Sequence, residues 1–120
     1  MKKQLMVVDD SRMMELQICK LLEGTEYEVA AYCENGEEAI ERYEEVQPDL
    51  VTMDVIMPGI DGLETAQIIL EEHPEAKIVM VSSLDDEDTI HEAKAVGTKR
   101  FLHKPIERED LLRTLEQAMA

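Results

Sequence analysis

The sequence predicts an α/β fold: a doubly wound sheet of five parallel strands, alternating with five helices that cover both faces. Three observations carry this. Short apolar runs recur along the chain, among them Leu5-Met6-Val7-Val8, Leu50-Val51-Thr52-Met53, Ile78-Val79-Met80-Val81 and Phe101-Leu102. Most of these positions are apolar rather than every second one, as in strands buried on both faces. Between the runs lie segments whose apolar residues repeat at helical spacing, with no linker and no internal repeat.

Each element has a local reason. After the first strand, Asp10 or Ser11 can cap a helix carrying Met14, Ile18, Leu21 and Leu22 on one face, and Gly24 ends it. Tyr27 to Tyr32 reads as the second strand, and Asn35-Gly36 turns the chain into a helix burying Ala39, Ile40, Tyr43 and Val46. That helix stops before Pro48, because the residue ahead of a proline is pushed out of helical conformation. The third strand ends at Asp54. Pro58-Gly59 and Asp61-Gly62 then form a tight loop before a helix using Leu63, Ala66, Ile69 and Leu70. His73-Pro74 stops that helix, and Lys77 opens the fourth strand. A helix with a weak apolar stripe (Ile90, Ala93, Val96) follows and ends at Gly97. After the short fifth strand, a helix from about Arg108 carries Leu111, Leu112, Leu115 and Met119.

Length and composition narrow the class. At 120 residues the chain reads as one domain, 1–120, able to bury a core without disulfides. No segment approaches the ~18 apolar residues of a membrane helix, and no apolar leader follows Met1-Lys2-Lys3, so a cytoplasmic protein without membrane insertion is expected. Cys19 and Cys33 lack metal or redox spacing and read as free core thiols. The net charge of -16 argues against direct nucleic-acid binding. Seven of the twelve basic residues lie from Lys77 onward, whereas none falls between Tyr43 and Ala76. His73, His91 and His103 have no metal-ligand spacing along the chain, and the eight methionines read as core filling.

Four apolar runs lead into chemically useful residues: Asp9-Asp10, Asp54, Ser82-Ser83 and, past His103, Lys104-Pro105. In an open α/β sheet, ligands bind in the crevice outside the carboxyl ends of the strands. Neighbouring strands would bring together three carboxylates, a hydroxyl and an ammonium there. Carboxylates at such range repel unless a cation intervenes, and Mg2+ favours a few carboxylate oxygens plus substrate phosphate. Asp54 can then attack phosphorus to give an acyl phosphate, with Lys104 and the Ser82 hydroxyl stabilising the phosphoryl oxygens.

Over its whole length the chain resembles the receiver domains of bacterial two-component response regulators, and particularly the stand-alone chemotaxis receivers. The matching residues are Val7-Val8-Asp9-Asp10-Ser11, then Asp54 through Gly62, then Val81-Ser82-Ser83 and Lys104-Pro105. The resemblance implies a flavodoxin-like fold with strand order 2-1-3-4-5. It makes Asp54 the phosphoacceptor, and Asp9 and Asp10 the acidic pair for Mg2+, with the main-chain carbonyl of Ile56 a further ligand. Ser82 corresponds to the switch hydroxyl, Phe101 to the switch aromatic and Lys104 to the family's lysine, with a cis bond to Pro105. Phe101 stands where Tyr is frequent and so lacks a hydroxyl for output contacts.

The expected function is a phosphorylation-controlled signalling switch. A sensor histidine kinase or phosphotransfer protein would phosphorylate Asp54. Capture of the phosphoryl group by Ser82 and Lys104 would then move Phe101 and alter the surface of the fourth helix, fifth strand and fifth helix. Lys94, Lys99, Arg100, Arg108 and Arg113 fall on that surface, which would bind a downstream protein target. Self-phosphorylation and autodephosphorylation would be its only catalysis. The alternative is a small Mg2+-dependent phosphohydrolase with an aspartyl nucleophile. Such enzymes of the haloacid dehalogenase type usually carry Asp-x-Asp after the first strand, and this chain has adjacent Asp9-Asp10. A flavin-binding protein is disfavoured by the lack of Trp and an aromatic content of 3%.

Overall fold

The computed structural model describes residues 2–83, 87–98 and 100–120. Its elements are β1 (Lys3–Val8), α1 (Arg12–Leu21), β2 (Tyr27–Cys33), α2 (Gly36–Val46), β3 (Leu50–Asp54), α3 (Gly62–Glu72), β4 (Ile78–Ser82), α4 (Glu87–Ala95), β5 (Arg100–His103) and α5 (Arg108–Met119). The strands form one parallel sheet in the order β2-β1-β3-β4-β5. Among the described residues, no helix is long and apolar enough to cross a membrane.

Strand alternation divides the interior into two cores. Met6 and Val8 of β1, Val51 and Met53 of β3, and Ile78 and Met80 of β4 pack with Ala39, Tyr43, Ala66, Ile69 and Ala93 of α2, α3 and α4. Their neighbours Leu5, Val7, Leu50, Val79 and Val81 pack with Ile18, Leu111 and Leu115 of α1 and α5. Successive side chains leave a strand on opposite faces, so both faces of these central strands need apolar residues. That is why the runs read as continuous rather than alternating.

The helix stripes follow the expected residues. In α5, Leu111 and Leu115 are fully buried, while Leu112 and Met119 pack partly against the core. The weak stripe of α4 has a structural counterpart: Ala93 is its only fully buried residue. Asn35 caps α2 by accepting from the Glu38 N–H at 2.8 Å, and Asp61 caps α3 by accepting from the Glu64 N–H at 2.8 Å.

Several boundaries differ from the sequence expectation. β1 begins at Lys3 rather than Leu5, because the Lys3 N–H donates to the Glu26 carbonyl at 2.7 Å and extends the pairing. β2 continues to Cys33, which pairs with Val8. Ser11 occupies the N-cap of α1, yet its side chain makes no capping bond. α1 closes at Leu22 before Gly24, and α4 closes before Gly97; both glycines take positive φ in the turns that follow. Gln47 ends α2 in the left-handed region at φ 48, directly before Pro48. Cys33 is buried and Cys19 half-buried, both as free thiols.

Candidate functional site

The parallel register brings the polar residues to one edge. Val8 pairs with Cys33 and with Met53, Asp54 with Val81, and Ser82 with His103. The residues at or just past these pairs, Asp9, Asp54, Ser82 and Lys104, therefore lie at the carboxyl end of the sheet. Of the expected site, Asp9, Asp10, Asp54 and Lys104 are brought into one cluster.

Asp9 is held from three sides. Its N–H donates to the Cys33 carbonyl at 3.1 Å, extending the β1–β2 pairing by one residue. Its carbonyl accepts from the Tyr32 hydroxyl at 2.8 Å, and its Oδ1 accepts from the Ser11 N–H at 2.8 Å. This last bond is a local Asx turn, which bends the chain from strand to helix. Tyr32 was legible only as a strand residue; its role needs the pairing of β1 with β2. Asp10, next in the chain, is exposed.

Asp54 ends β3 and is 6% exposed. The loop behind it folds back tightly. The Val55 N–H donates to the Val81 carbonyl at 3.1 Å, and the Gly62 N–H donates to the Val55 carbonyl at 2.8 Å. A Cβ on Gly62 would lie 1.9 Å from the Asp54 carbonyl oxygen, so only glycine fits this approach. Glu37 of α2 braces the same loop by accepting from the Ile60 N–H at 3.3 Å, a contact no sequence spacing signals.

Lys104 reaches this pair from β5. Its N–H donates to the Ser82 carbonyl at 2.9 Å, and the Lys104-Pro105 bond is cis, as the resemblance implied. Its Nζ donates to Asp9 Oδ2 at 3.1 Å and stands 3.4 Å from Asp54 Oδ1. One ammonium thus bridges carboxylates that lie 95 and 50 residues away in sequence.

Charge and burial oppose each other here. Asp54 is pushed up to about 6, chiefly because burial penalises its charged form, with Asp9 adding repulsion and Lys104 pulling the other way. Burial alone would lower Lys104, but the Asp54 and Asp9 carboxylates outweigh it, so the ammonium holds its proton more firmly than usual. Asp9, Asp10 and Asp54 each offer a carboxylate oxygen, all within 4.8 Å of one another. A group of hard oxygen donors around a carboxyl that resists ionisation fits a divalent cation such as Mg2+.

The remaining predicted residues surround the cluster. Ser82 is buried at the end of β4, one position beyond the strand partner of Asp54. Ile56 lies two residues past Asp54 with its side chain 60% exposed. Phe101 is half-buried against the α2–α4 core, its ring centroid 5.1 Å from that of His103. Lys94, Arg100, Arg108 and Arg113 are exposed, whereas Lys99 lies outside the described residues.

Comparison with known proteins follows the same lines. Residues 5–116 match the response regulator receiver domain family. The chain is 38% identical over 115 residues to the chemotaxis protein CheY of Listeria monocytogenes, covering 96% of this chain and 97% of that one. It is 34% identical over 119 residues to the CheY of Bacillus subtilis, covering 99% of each. Among solved structures, the CheX–CheY–BeF3–Mg2+ complex from Borrelia burgdorferi superposes with a TM-score of 0.93 at 27% identity, covering 98% of this chain and 90% of that one. The response regulator domain of Thermotoga maritima CheB gives a TM-score of 0.90 at 31% identity, covering 99% and 97%. With its fold, its acidic cluster and its relatives in agreement, the chain belongs to the response regulator receiver domains, the phosphorylation-controlled signalling switches of two-component systems.

Proposed function

We propose that Asp54 is the phosphoacceptor of this receiver, with Asp9, Asp10 and Lys104 as the groups that make the transfer possible. The observation that carries this reading is the placement of the Lys104 ammonium between Asp9 Oδ2 and Asp54 Oδ1, two buried carboxylates at the strand ends. At neutral pH Asp54 is ionised despite its value of about 6, and so is nucleophilic. One carboxylate oxygen attacks phosphorus in line with the leaving nitrogen of a phosphohistidine donor. The P–O bond forms, the P–N bond breaks, and the imidazole leaves with its electron pair and gains a proton. The product is an aspartyl phosphate. Lys104 and the Ser82 hydroxyl are then the donors to the phosphoryl oxygens.

Asp9, Asp10, Asp54 and the main-chain carbonyl of Ile56 would hold Mg2+, which, when bound, supplies positive charge to offset three carboxylates and the phosphoryl oxygens. A BeF3–Mg2+ complex among the structural neighbours supports the assignment. The donor would be a sensor histidine kinase or a phosphotransfer protein in the cytoplasm. Output would run through Ser82 and Phe101 to the α4–β5–α5 face and a protein target. That α4 has a single fully buried residue favours it as the element that shifts, since weakly packed elements open at least cost. The Borrelia neighbour's association with CheX supports a protein partner over nucleic acid, as does the net charge of -16. Catalysis is confined to the domain's own phosphorylation and dephosphorylation; the family match and relatives do not favour the phosphohydrolase alternative.

Incubation with acetyl phosphate or a phosphohistidine donor tests this reading. One Mg2+-dependent, acid-stable and hydroxylamine-labile phosphoryl group per chain is expected, and none in Asp54→Asn. Steady turnover of small phosphoesters, or undiminished labelling of Asp54→Asn, would contradict it.

A further inference from the structure

A second group of metal-ligating side chains lies at the C-terminal ends of α2 and α3, the opposite end of the fold from Asp54. Glu44 of α2, Glu72 of α3 and the C-cap residue His73 each offer one ligand atom, all within 4.8 Å of one another. The group is not merely acidic. His73 Nε2 is shut off from solvent and has no hydrogen-bond partner among the described residues. It stands 3.8 Å from Glu44 Oε1, too far for a hydrogen bond. A tetrahedral metal holding nitrogen at ~2.0–2.1 Å and carboxylate oxygen at ~2.0–2.2 Å sets two donors about 3.4 Å apart, so the exposed Glu44 carboxylate would close by a few tenths of an ångström on binding.

The imidazole is also oriented. Its ring packs against Tyr43, with centroids 4.9 Å apart, and its other nitrogen, Nδ1, faces Glu75 Oε1 at 3.7 Å. At 3.7 Å this is an electrostatic contact and not a hydrogen bond, so it is the packing on Tyr43 that orients the ring. Glu44 and Glu72 are exposed and free to adjust, while the histidine is the anchored member.

We propose that Glu44, Glu72 and His73 form a second metal site, specific for a divalent transition ion of the Zn2+ class. The imidazole nitrogen selects against Mg2+, which keeps to oxygen ligands, so the two ends of the fold would discriminate between metals by donor type. A bound ion would pin the end of α2 to the end of α3 and stabilise the folded chain in proportion to its occupancy.

The full chain, in saturating Mg2+ to fill the acidic cluster at Asp54, is titrated with Zn2+ by calorimetry and with Co2+ by visible absorption. One equivalent is expected in the wild type and in Asp54→Asn, with affinity falling about tenfold or more in His73→Gln and in Glu44→Gln. Glu44→Gln alters an exposed side chain, so it tests the site even if His73→Gln perturbs packing on Tyr43. The 15N resonance of His73 Nε2 should move on Zn2+ addition while Nδ1 stays protonated. Equal binding by wild type and both variants, ligation through Nδ1, or no Zn2+ uptake in saturating Mg2+ would each overturn the proposal.

Discussion

Replacing Asp54 by Asn should stabilise the metal-free fold, and the size of the gain follows from the site. The carboxyl has been raised from 3.8 to about 6, so the folded chain holds this proton more tightly than the unfolded chain does. Below the ordinary value the group is neutral in both states and costs nothing. As pH rises through the interval the unfolded chain ionises first, and the fold loses stability until the folded group ionises too. The loss is then constant. Two units at 1.36 kcal/mol each set a ceiling of about 3 kcal/mol; solvent at the open end of the sheet reduces it to roughly 2 kcal/mol. Asn keeps the shape, never ionises, and leaves Lys104 its bond to Asp9. Urea denaturation in a chelator at pH 8 should give the variant about 2 kcal/mol over wild type, a melting rise of roughly 5–10 °C for a domain this size. At pH 5 the advantage should fall to about half. Equal stability at pH 8, or an advantage unchanged at pH 5, would refute the assignment of repulsion and burial to Asp54.

Other outcomes follow from the same geometry. Mg2+ should raise the melting temperature of the wild type, because binding favours only the folded state, and an Asp9→Asn/Asp10→Asn chain should lose that response. Gly62→Ala should destabilise by about 3 kcal/mol or more in denaturant titration, since its Cβ would press 1.9 Å from the Asp54 carbonyl oxygen with only backbone to yield. Asn35→Ala should cost about 1 kcal/mol through loss of the bond to the Glu38 N–H, measured in the same way. Beryllofluoride with Mg2+ should perturb amide signals of α4, β5 and α5 more than those of α1 and α2, and Lys104→Ala should still accept phosphate while losing those remote changes.

Much of this arrangement was legible because parallel strands advertise themselves. Leu50-Val51-Thr52-Met53 is buried on both faces since α2–α4 and α1–α5 each claim one, and Asp54 closes the run at the edge where sheets of this kind bind ligands. The positions of Asp9, Asp54 and Lys104 followed from the period of the fold, without knowledge of any distance. What stayed hidden was contact across elements. Tyr32 bonding the Asp9 carbonyl depends on the β1–β2 register, and Glu37 bracing Ile60 depends on how α2 sits beside the loop. His73 read as lacking metal-ligand spacing because its candidate partner Glu44 comes from another helix. The start of β1 at Lys3, ahead of the apolar run from Leu5, is silent in the sequence for a related reason: Lys3 and Gln4 pair with β2 through their backbone, without needing an apolar side chain.

The most direct measurement of the central claim is chemical trapping of the phosphorylated residue. The chain is treated with acetyl phosphate and Mg2+, reduced with borohydride, which converts an aspartyl phosphate to homoserine, and mapped by peptide mass spectrometry. Homoserine is expected at position 54 alone, dependent on Mg2+ and abolished by Asp54→Asn. Conversion at Asp9 or Asp10, or a stable phosphate on Ser82 or Ser83, would contradict it.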